Sequence, residues 1–262
     1  RSKKPLLFFV IVASWFLSCK QDPVQPNTFT LSYGDSVFYL KPQANDYIIN
    51  PLVSKAGQYI GFPDGIEIDD KTGAINVNKS ETGLRYKITY VSPEGDSSSV
   101  FLVLSGINFY DKIYNLSSND TIAYPIYNAN GQVYQPGLFG TGTNNSFDDD
   151  RGCNNQGCAV SLLNGSINLA QSIRNGAIPG INDAQKEFTY YYKLDDASQK
   201  SLNKLNVKLY YYDSQADIPQ YLWDILLVDH AGTILRTAGG QRAAGVQRIA
   251  RPRPPCIIVV GH

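Results

Sequence analysis

Residues 65–77 read GIEIDDKTGAINV. Ile66 and Ile68 alternate with acidic residues, so this run has one apolar and one polar face, which is the pattern of a β-strand. Gly73 supplies the positive φ that a tight turn requires, and the apolar alternation resumes at Ile75. The segment therefore predicts two short strands joined by a turn.

The segment that follows predicts a β-hairpin. Tyr86, Ile88 and Tyr90 alternate with polar residues, and Pro, Glu, Gly and Asp at 93–96 are typical of a turn. The return run at 100–104 is apolar at every position, which is the pattern of a strand with neighbours on both sides. We therefore expect the second strand of this hairpin to be central in its sheet.

Composition predicts an all-β protein outside the cytoplasm. Basic and acidic residues both number 23, so the formal net charge is zero. No nucleic-acid partner is expected, because such binding depends on an excess of basic side chains that neutralise phosphates. The 18 tyrosines, the many small polar residues and the lack of long helical periodicity favour β structure.

The segment at 65–75 resembles the core of bacterial Ig-like or cadherin-like β-sandwich repeats, through the pattern Gly65-Ile66-x-Ile68-Asp69-x-x-Thr72-Gly73-x-Ile75. The resemblance implies an Ig-like β-sandwich over residues 29–107. It implies no single function, since such modules act as spacers, adhesive units or ligand platforms. The acidic motifs with which cadherins proper bind calcium are missing at this boundary. Residues 108–262 are expected to form a second β-rich domain, also a sandwich, of a family that the sequence does not identify.

The beginning of the chain predicts export. Arg1, Lys3 and Lys4 precede an apolar run over 6–17, which is shorter than the roughly 20 residues needed to span a bilayer. A basic head, a short apolar core and small residues after it are typical of a secretory signal peptide. We assign residues 1–18 to that peptide.

Residues 16–19, FLSC, resemble the lipobox of bacterial lipoproteins, in particular those of the Bacteroidetes. The resemblance implies that Cys19 becomes the acylated N-terminus and that residues 19–28 form a tether. Residues 20–22 resemble the signal that directs such lipoproteins to the surface of the outer membrane. The acylated Cys19 would then make the membrane a partner through the lipid anchor. The alternative is an ordinary secretory peptide in which the cysteine occurs by chance.

Three cysteines remain in the body of the chain. Cys153 and Cys158 are close enough in sequence to form a local disulfide in an oxidising compartment. A metal site is a poorer interpretation, because no second cysteine pair and no nearby histidine is present. Cys256 is then unpaired, or it pairs with one of the other two.

An acidic loop precedes the first of these cysteines. Asp148 and Asp150 carry the hard carboxylate oxygens that Ca²⁺ takes as ligands, so both are candidate calcium ligands and Ca²⁺ is a possible cofactor. The regular spacing of a calcium loop is absent. The alternative, which we favour, is a solvated acidic loop whose charge is partly offset by Arg151.

Two tyrosine triplets lie in the strongest predicted strands of the second half, over 186–194 and 205–212. Rings in register on an exposed sheet face would stack on sugars, which makes a glycan site one interpretation. The alternative is that the rings are core residues, since aromatic side chains are good strand formers and cross-strand partners. The candidate ligand-binding residues are Tyr190, Tyr191, Tyr192, Tyr210, Tyr211 and Tyr212.

The end of the chain gives weaker predictions. Residues 221–228 and 233–237 are expected to form another hairpin, with His230 in its turn. With only two histidines in the chain, a histidine-dependent hydrolase is not expected. Residues 238–262 lose the β alternation and gain arginine, so we expect an irregular or aberrant tail, with a basic tail for acidic ligands as the alternative.

These observations favour a non-enzymatic binding or adhesion protein on the cell surface, with polysaccharide or an outer-membrane protein as its partner. The first alternative is a carbohydrate-processing enzyme or an accessory subunit of one, because two suitably placed carboxylates suffice for glycoside hydrolysis. The second alternative is a structural component of an envelope assembly.

Overall fold

The structure, a computed structural model, describes residues 29–63, 65–131, 144–227 and 255–261. The predicted signal peptide, the lipidation site at Cys19, the tether and the turn containing His230 lie outside these residues. The described chain is 37% strand and 12% helix and is arranged in several sheets, which confirms the prediction of a mainly β protein.

The first half of the chain forms two sheets. A four-stranded sheet has the order β1-β7-β6-β3 and a three-stranded sheet has the order β2-β5-β4. The strands are β1 (Val37–Phe38), β2 (Ile48–Ile49), β3 (Gln58–Phe62), β4 (Glu67–Ile68), β5 (Ile75–Asn76), β6 (Leu84–Val91) and β7 (Ser97–Leu104).

Both local predictions for this half are confirmed. The opening segment forms the antiparallel pair β4–β5, with Gly73 at φ +74° between them. β6 and β7 form the predicted hairpin, and β7 lies between β1 and β6. The outer face of β7 is nevertheless open: Phe101 is 45% exposed, and the Arg85 guanidinium lies 3.7 Å from its ring centroid.

Side chains from the two sheets share one hydrophobic core. Along β6, buried side chains that point into this core alternate with side chains that are partly or fully exposed, as successive residues of a strand face opposite sides. The buried members include Tyr59, Ile75, Tyr86, Ile88, Leu102 and Leu104.

The second half is built around a five-stranded sheet of order β12-β15-β16-β17-β9. Two small sheets have the orders β10-β14-β13 and β11-β8. The strands are β8 (Ile107–Asn108), β9 (Lys112–Asn115), β10 (Ile122–Ala123), β11 (Ile126–Tyr127), β12 (Ser146–Phe147), β13 (Ala159–Val160), β14 (Ile167–Asn168), β15 (Ala184–Lys193), β16 (Asn203–Tyr212) and β17 (Cys256–Val260). The helices are α1 (Gly152–Asn155), α2 (Leu169–Arg174) and α3 (Gln220–Leu227), with 3₁₀ turns at Leu116–Ser118 and Gln215–Asp217.

The two predicted long strands are confirmed as β15 and β16. The structure shows in addition that they pair antiparallel, from Ala184↔Tyr211 to Tyr192↔Asn203. The prediction of an irregular tail over 238–262 is wrong for residues 256–260. These residues form β17, which pairs in parallel with β16 on one side and β9 on the other, and all five are buried. A run that is apolar at every position suits a strand covered on both faces.

The prediction of a strand over 221–228 is also wrong, because residues 220–227 form α3. Leu222, Ile225 and Leu226 recur at the three- and four-residue intervals that place side chains on one face of a helix. This face packs against Ile258 of β17 and its neighbours, while Ile257 belongs to the core on the opposite face of the sheet. Among the described residues, no helix combines the length and apolarity required to cross a bilayer.

Candidate ligand groove between the two halves

The two halves are joined by a buried tyrosine. The Tyr192 hydroxyl accepts a hydrogen bond from the Ile107 amide at 3.0 Å and lies 3.0 Å from the Thr82 hydroxyl oxygen. Gly106 permits this approach, since a Cβ there would lie 2.5 Å from the tyrosine oxygen. Burial raises the pKa of Tyr192 to about 12 although these hydrogen bonds act in the opposite direction.

A second contact fixes the turn that follows β15. The Asp196 carboxylate accepts hydrogen bonds from the Tyr127 hydroxyl at 2.8 Å and the Ser105 hydroxyl at 3.2 Å. Its other oxygen accepts from the Ser198 amide at 2.8 Å. Burial raises the pKa of Tyr127.

The predicted domain boundary at residue 107 does not separate the two hydrophobic cores. Ile126 of β11 packs in the core of the first half, so residues beyond 107 contribute to the cores of both halves.

Beside these contacts lies a groove of about 570 Å³. One wall is the segment that leads from β5 to β6, and the other is the beginning of β16. A volume of this size lies in the range of pockets that bind ligands. The groove is lined by Leu40, Gly65, Asn78, Lys79, Ser80, Glu81, Thr82, Leu202, Asn203, Lys204, Leu205 and Asn206.

Asn203 distinguishes this groove from other surface depressions. The side chain is only 3% exposed, and its amide nitrogen donates to the Ser201 carbonyl at 3.2 Å. Its carbonyl oxygen Oδ1 is the one buried side-chain polar atom without a hydrogen-bond partner in the part of the chain that the structure describes. An unsatisfied buried acceptor costs about 1–3 kcal/mol, so one of the residues that line the groove carries an uncompensated polar atom.

The other lining residues define what the groove accepts. Lys79 forms an ion pair with Asp46 at 3.3 Å, and a Glu81 carboxylate oxygen accepts a hydrogen bond from the side-chain nitrogen of Asn108 at 3.2 Å. Leu202 is 51% exposed and provides an apolar surface at the rim. None of the described residues that line the groove is aromatic. These residues offer hydrogen-bond acceptors, partly compensated charges and aliphatic contacts.

A second depression of about 540 Å³ lies at the tip of the β6–β7 hairpin. It is lined by Phe29, Lys55 and Tyr90 together with two carboxylates of the turn, Glu94 and Asp96. The Lys55 ammonium lies 4.8 Å from the Phe29 ring centroid. No described side chain in this depression has a buried polar atom without a partner, so we place the candidate site in the groove.

The tyrosine triplets do not form a surface. Five of the six rings are buried and belong to the cores on the two faces of the five-stranded sheet, and Tyr191 is half-buried. Tyr190 is fully buried and donates its hydroxyl to the Gly165 carbonyl at 3.0 Å. The structure therefore corresponds to the alternative interpretation, in which the tyrosines are core residues. The buried rings are Tyr190, Tyr192, Tyr210, Tyr211 and Tyr212.

The predicted disulfide is not formed in this structure. Cys153 and Cys158 are free thiols, both buried in the same core. Contact with the Cys158 thiol and burial raise the pKa of Cys153, whose thiol lies 3.4 Å from the Thr189 carbonyl oxygen. Cys256 belongs to the core on the opposite face of the sheet, so the alternative pairing with Cys256 is excluded in this fold.

The candidate calcium ligands have separate roles. Asp148 is fully buried, and its two oxygens accept from the Cys153 amide and from both the backbone and side-chain nitrogens of Asn154, at 2.7–2.9 Å. Asp150 is exposed and accepts from the Gly152 amide at 3.0 Å. Asp148 therefore caps the start of α1, and no cluster of three or more metal-ligating side chains occurs in the described ranges.

Sequence reasoning missed the groove, although one observation pointed to it. Asn203 shares the inward phase of β16 with Leu205 and Val207, so a polar residue occupies a position where the alternation predicts an apolar one. The opposite wall comes from a distant part of the chain, and only folding brings the two together.

No family model and no curated protein matches this chain.

Proposed function

We propose that this protein is a non-enzymatic binding protein that contacts its partner through the groove between its two halves. The observation that carries the proposal is the buried, unpartnered carbonyl oxygen of Asn203, one of the residues that line that groove. The contacts of Tyr192 and Asp196 support it, because they hold the two walls in place before a ligand arrives.

We further propose that the protein is a lipoprotein of the Bacteroidetes type, anchored through Cys19 at the surface of the outer membrane. Residues 29–107 would be an Ig-like or cadherin-like sandwich that carries the groove away from the membrane. The lipobox-like residues 16–19 and the pattern beginning at Gly65 support this assignment. An outer-membrane protein or a surface polysaccharide is the class of partner that such a position offers.

Photocrosslinking in the native host tests the binding site. A photoreactive residue at Leu202 lies at the rim of the groove, and the same residue at Ile181 serves as the matched control. Both positions are exposed, at 51% and 65%, but Ile181 lies at the other end of the β15–β16 pair. We expect a discrete crosslinked species from Leu202 alone. Equal labelling from both positions, or none from Leu202, contradicts the proposal.

The anchor is tested on the same cells. Mass spectrometry of the mature N-terminus should find diacylated Cys19 with residues 1–18 removed. A free Cys19 thiol together with an uncleaved leader contradicts the assignment as a lipoprotein.

A further inference from the structure

The end of α1 is a turn that brings two cysteines together. The Cys158 amide donates to the Cys153 carbonyl at 2.9 Å, and the Gly157 amide donates to the Asn154 carbonyl at 2.9 Å. Gly157 has the left-handed conformation, with φ +87°. These two bonds and the left-handed glycine define a Schellman motif, whose first and last side chains commonly pack against each other. Cys153 and Cys158 occupy these two positions.

The same backbone bond gives the pair a separation that suits a disulfide. Backbone groups joined by a hydrogen bond hold their Cα atoms about 5–6 Å apart, within the roughly 4.4–6.8 Å that a disulfide spans. The structure shows the reduced form of the pair, in which the two thiols contact each other in one buried core. A bond between the two sulfurs therefore requires no rearrangement of the backbone.

The residues around the pair are held independently of it. The Cys153 amide donates to the Asp148 carboxylate at 2.9 Å, and the Ala159 amide donates to the Ser172 hydroxyl at 2.9 Å. These bonds fix both ends of the turn whether the thiols are free or joined. Cys256 lies in the core on the opposite face of the five-stranded sheet, so the fold selects one pairing among the three cysteines of the body.

We propose that Cys153 and Cys158 are a dithiol site at which a disulfide oxidant of the glutathione class installs an intramolecular disulfide. One thiolate attacks a sulfur of the oxidant's disulfide, which forms a mixed disulfide and releases one thiol. The second thiolate attacks the protein sulfur of that mixed disulfide, closes the S–S bond of the protein and releases the second thiol. The two electrons lost by the protein sulfurs reduce the oxidant, and the two thiol protons end on the released thiols.

Burial sets the stage of folding at which this exchange occurs. Both side chains are 1% exposed, and the pKa of Cys153 is raised by its contact with the Cys158 thiol and by burial. The thiolate is the reactive form, so we expect oxidation before the core closes around the pair. An oxidising compartment such as the one proposed for this chain maintains the oxidant. The inference does not depend on the groove, and it holds whether or not a ligand binds there.

Refolding the full chain from urea in a mixture of oxidised and reduced glutathione tests the site. Trypsin releases both cysteines in one peptide, residues 152–174, because Arg151 and Arg174 flank them and no lysine or arginine lies between. After treatment with iodoacetamide in urea, mass spectrometry should find this peptide unalkylated and lighter by the two hydrogen atoms that oxidation removes. Cys256 should be alkylated and serves as the internal control. Alkylation of both cysteines of the peptide, or a bond from either to another cysteine, overturns the inference.

A second measurement shows whether the bond suits the fold. The equilibrium constant for disulfide formation is determined in glutathione buffers for the folded chain and for the chain in urea. We expect it to be about tenfold or more larger in the folded chain, because the bond closes a turn that the fold already forms. Cys256→Ala should keep this ratio, whereas Cys153→Ala should abolish the intramolecular disulfide of the peptide. An equal or smaller constant in the folded chain overturns the inference, since the native geometry would then oppose the bond.

Discussion

Replacing Asp148 by alanine is expected to lower the free energy of unfolding by about 3–5 kcal/mol. The fully buried carboxylate accepts bonds from the Cys153 amide and from two nitrogens of Asn154. Its loss leaves two backbone donors without a partner, at about 1–2 kcal/mol each. Alanine also tolerates the left-handed backbone of this position, φ +52°, less well than aspartate, which adds about 1 kcal/mol.

Urea unfolding followed by circular dichroism measures this loss, and a thermal scan should show the Tm falling by about 10 °C. Asp150→Ala is the matched control. Its carboxylate is two residues away, exposed, and accepts a single hydrogen bond from the Gly152 amide. We expect that variant to lose less than about 1 kcal/mol.

Calcium distinguishes the capping role from the ligand role that the sequence suggested. If Asp148 is a cap, millimolar Ca²⁺ leaves the Tm of the wild-type protein unchanged. A Ca²⁺-dependent rise in Tm that is abolished by Asp148→Ala would refute the capping argument, because binding to the folded state alone stabilises it by mass action. Equal destabilisation by the Asp148 and Asp150 substitutions would refute it as well.

Three further outcomes follow from the contacts described above. Gly106→Ala places a Cβ within 2.5 Å of the Tyr192 oxygen and should cost about 2 kcal/mol or more in urea unfolding, part of which Tyr192→Phe recovers in the double variant. Burial raises the pKa of Tyr192 to about 12, so its neutral form contributes stability that is fully present below about pH 10 and is lost as the pH rises toward 12. Tyr192→Phe should remove this contribution, so its free energy of unfolding should fall less than that of the wild-type protein between pH 9 and pH 11.5. The pKa of Cys153 is raised, so peptide mass spectrometry should show Cys153 alkylated by iodoacetamide at least about tenfold more slowly in the folded chain than in urea, and equal rates would contradict its burial.

Local alternation was sufficient for the β6–β7 hairpin, the β4–β5 turn and the two long strands β15 and β16. In the hairpin and the turn, one continuous segment carries the pattern, the turn residues and the pairing partner, whereas the pairing of β15 with β16 came from the structure. The tyrosines of β15 and β16 show the limit of this reasoning. Alternation places rings on both faces of a strand, but it does not show whether a second layer covers each face.

Side-chain roles in the acidic loop also needed the fold. Asp148, Asp149 and Asp150 are adjacent and chemically equivalent in the sequence, yet one caps a helix, one pairs with Lys193 at 2.8 Å and one stays exposed. The backbone turn at Asp148 produces this separation, and no spacing rule reports it.

Composition and short-range periodicity were thus enough to predict a mainly β chain and to place its best hairpins. The helix α3, the central place of β17 and the groove at Asn203 arise only when segments far apart in the chain meet. An apolar run such as Cys256–Val260 suits any buried strand, and its neighbours β9 and β16 are selected by packing across distances that no local pattern contains.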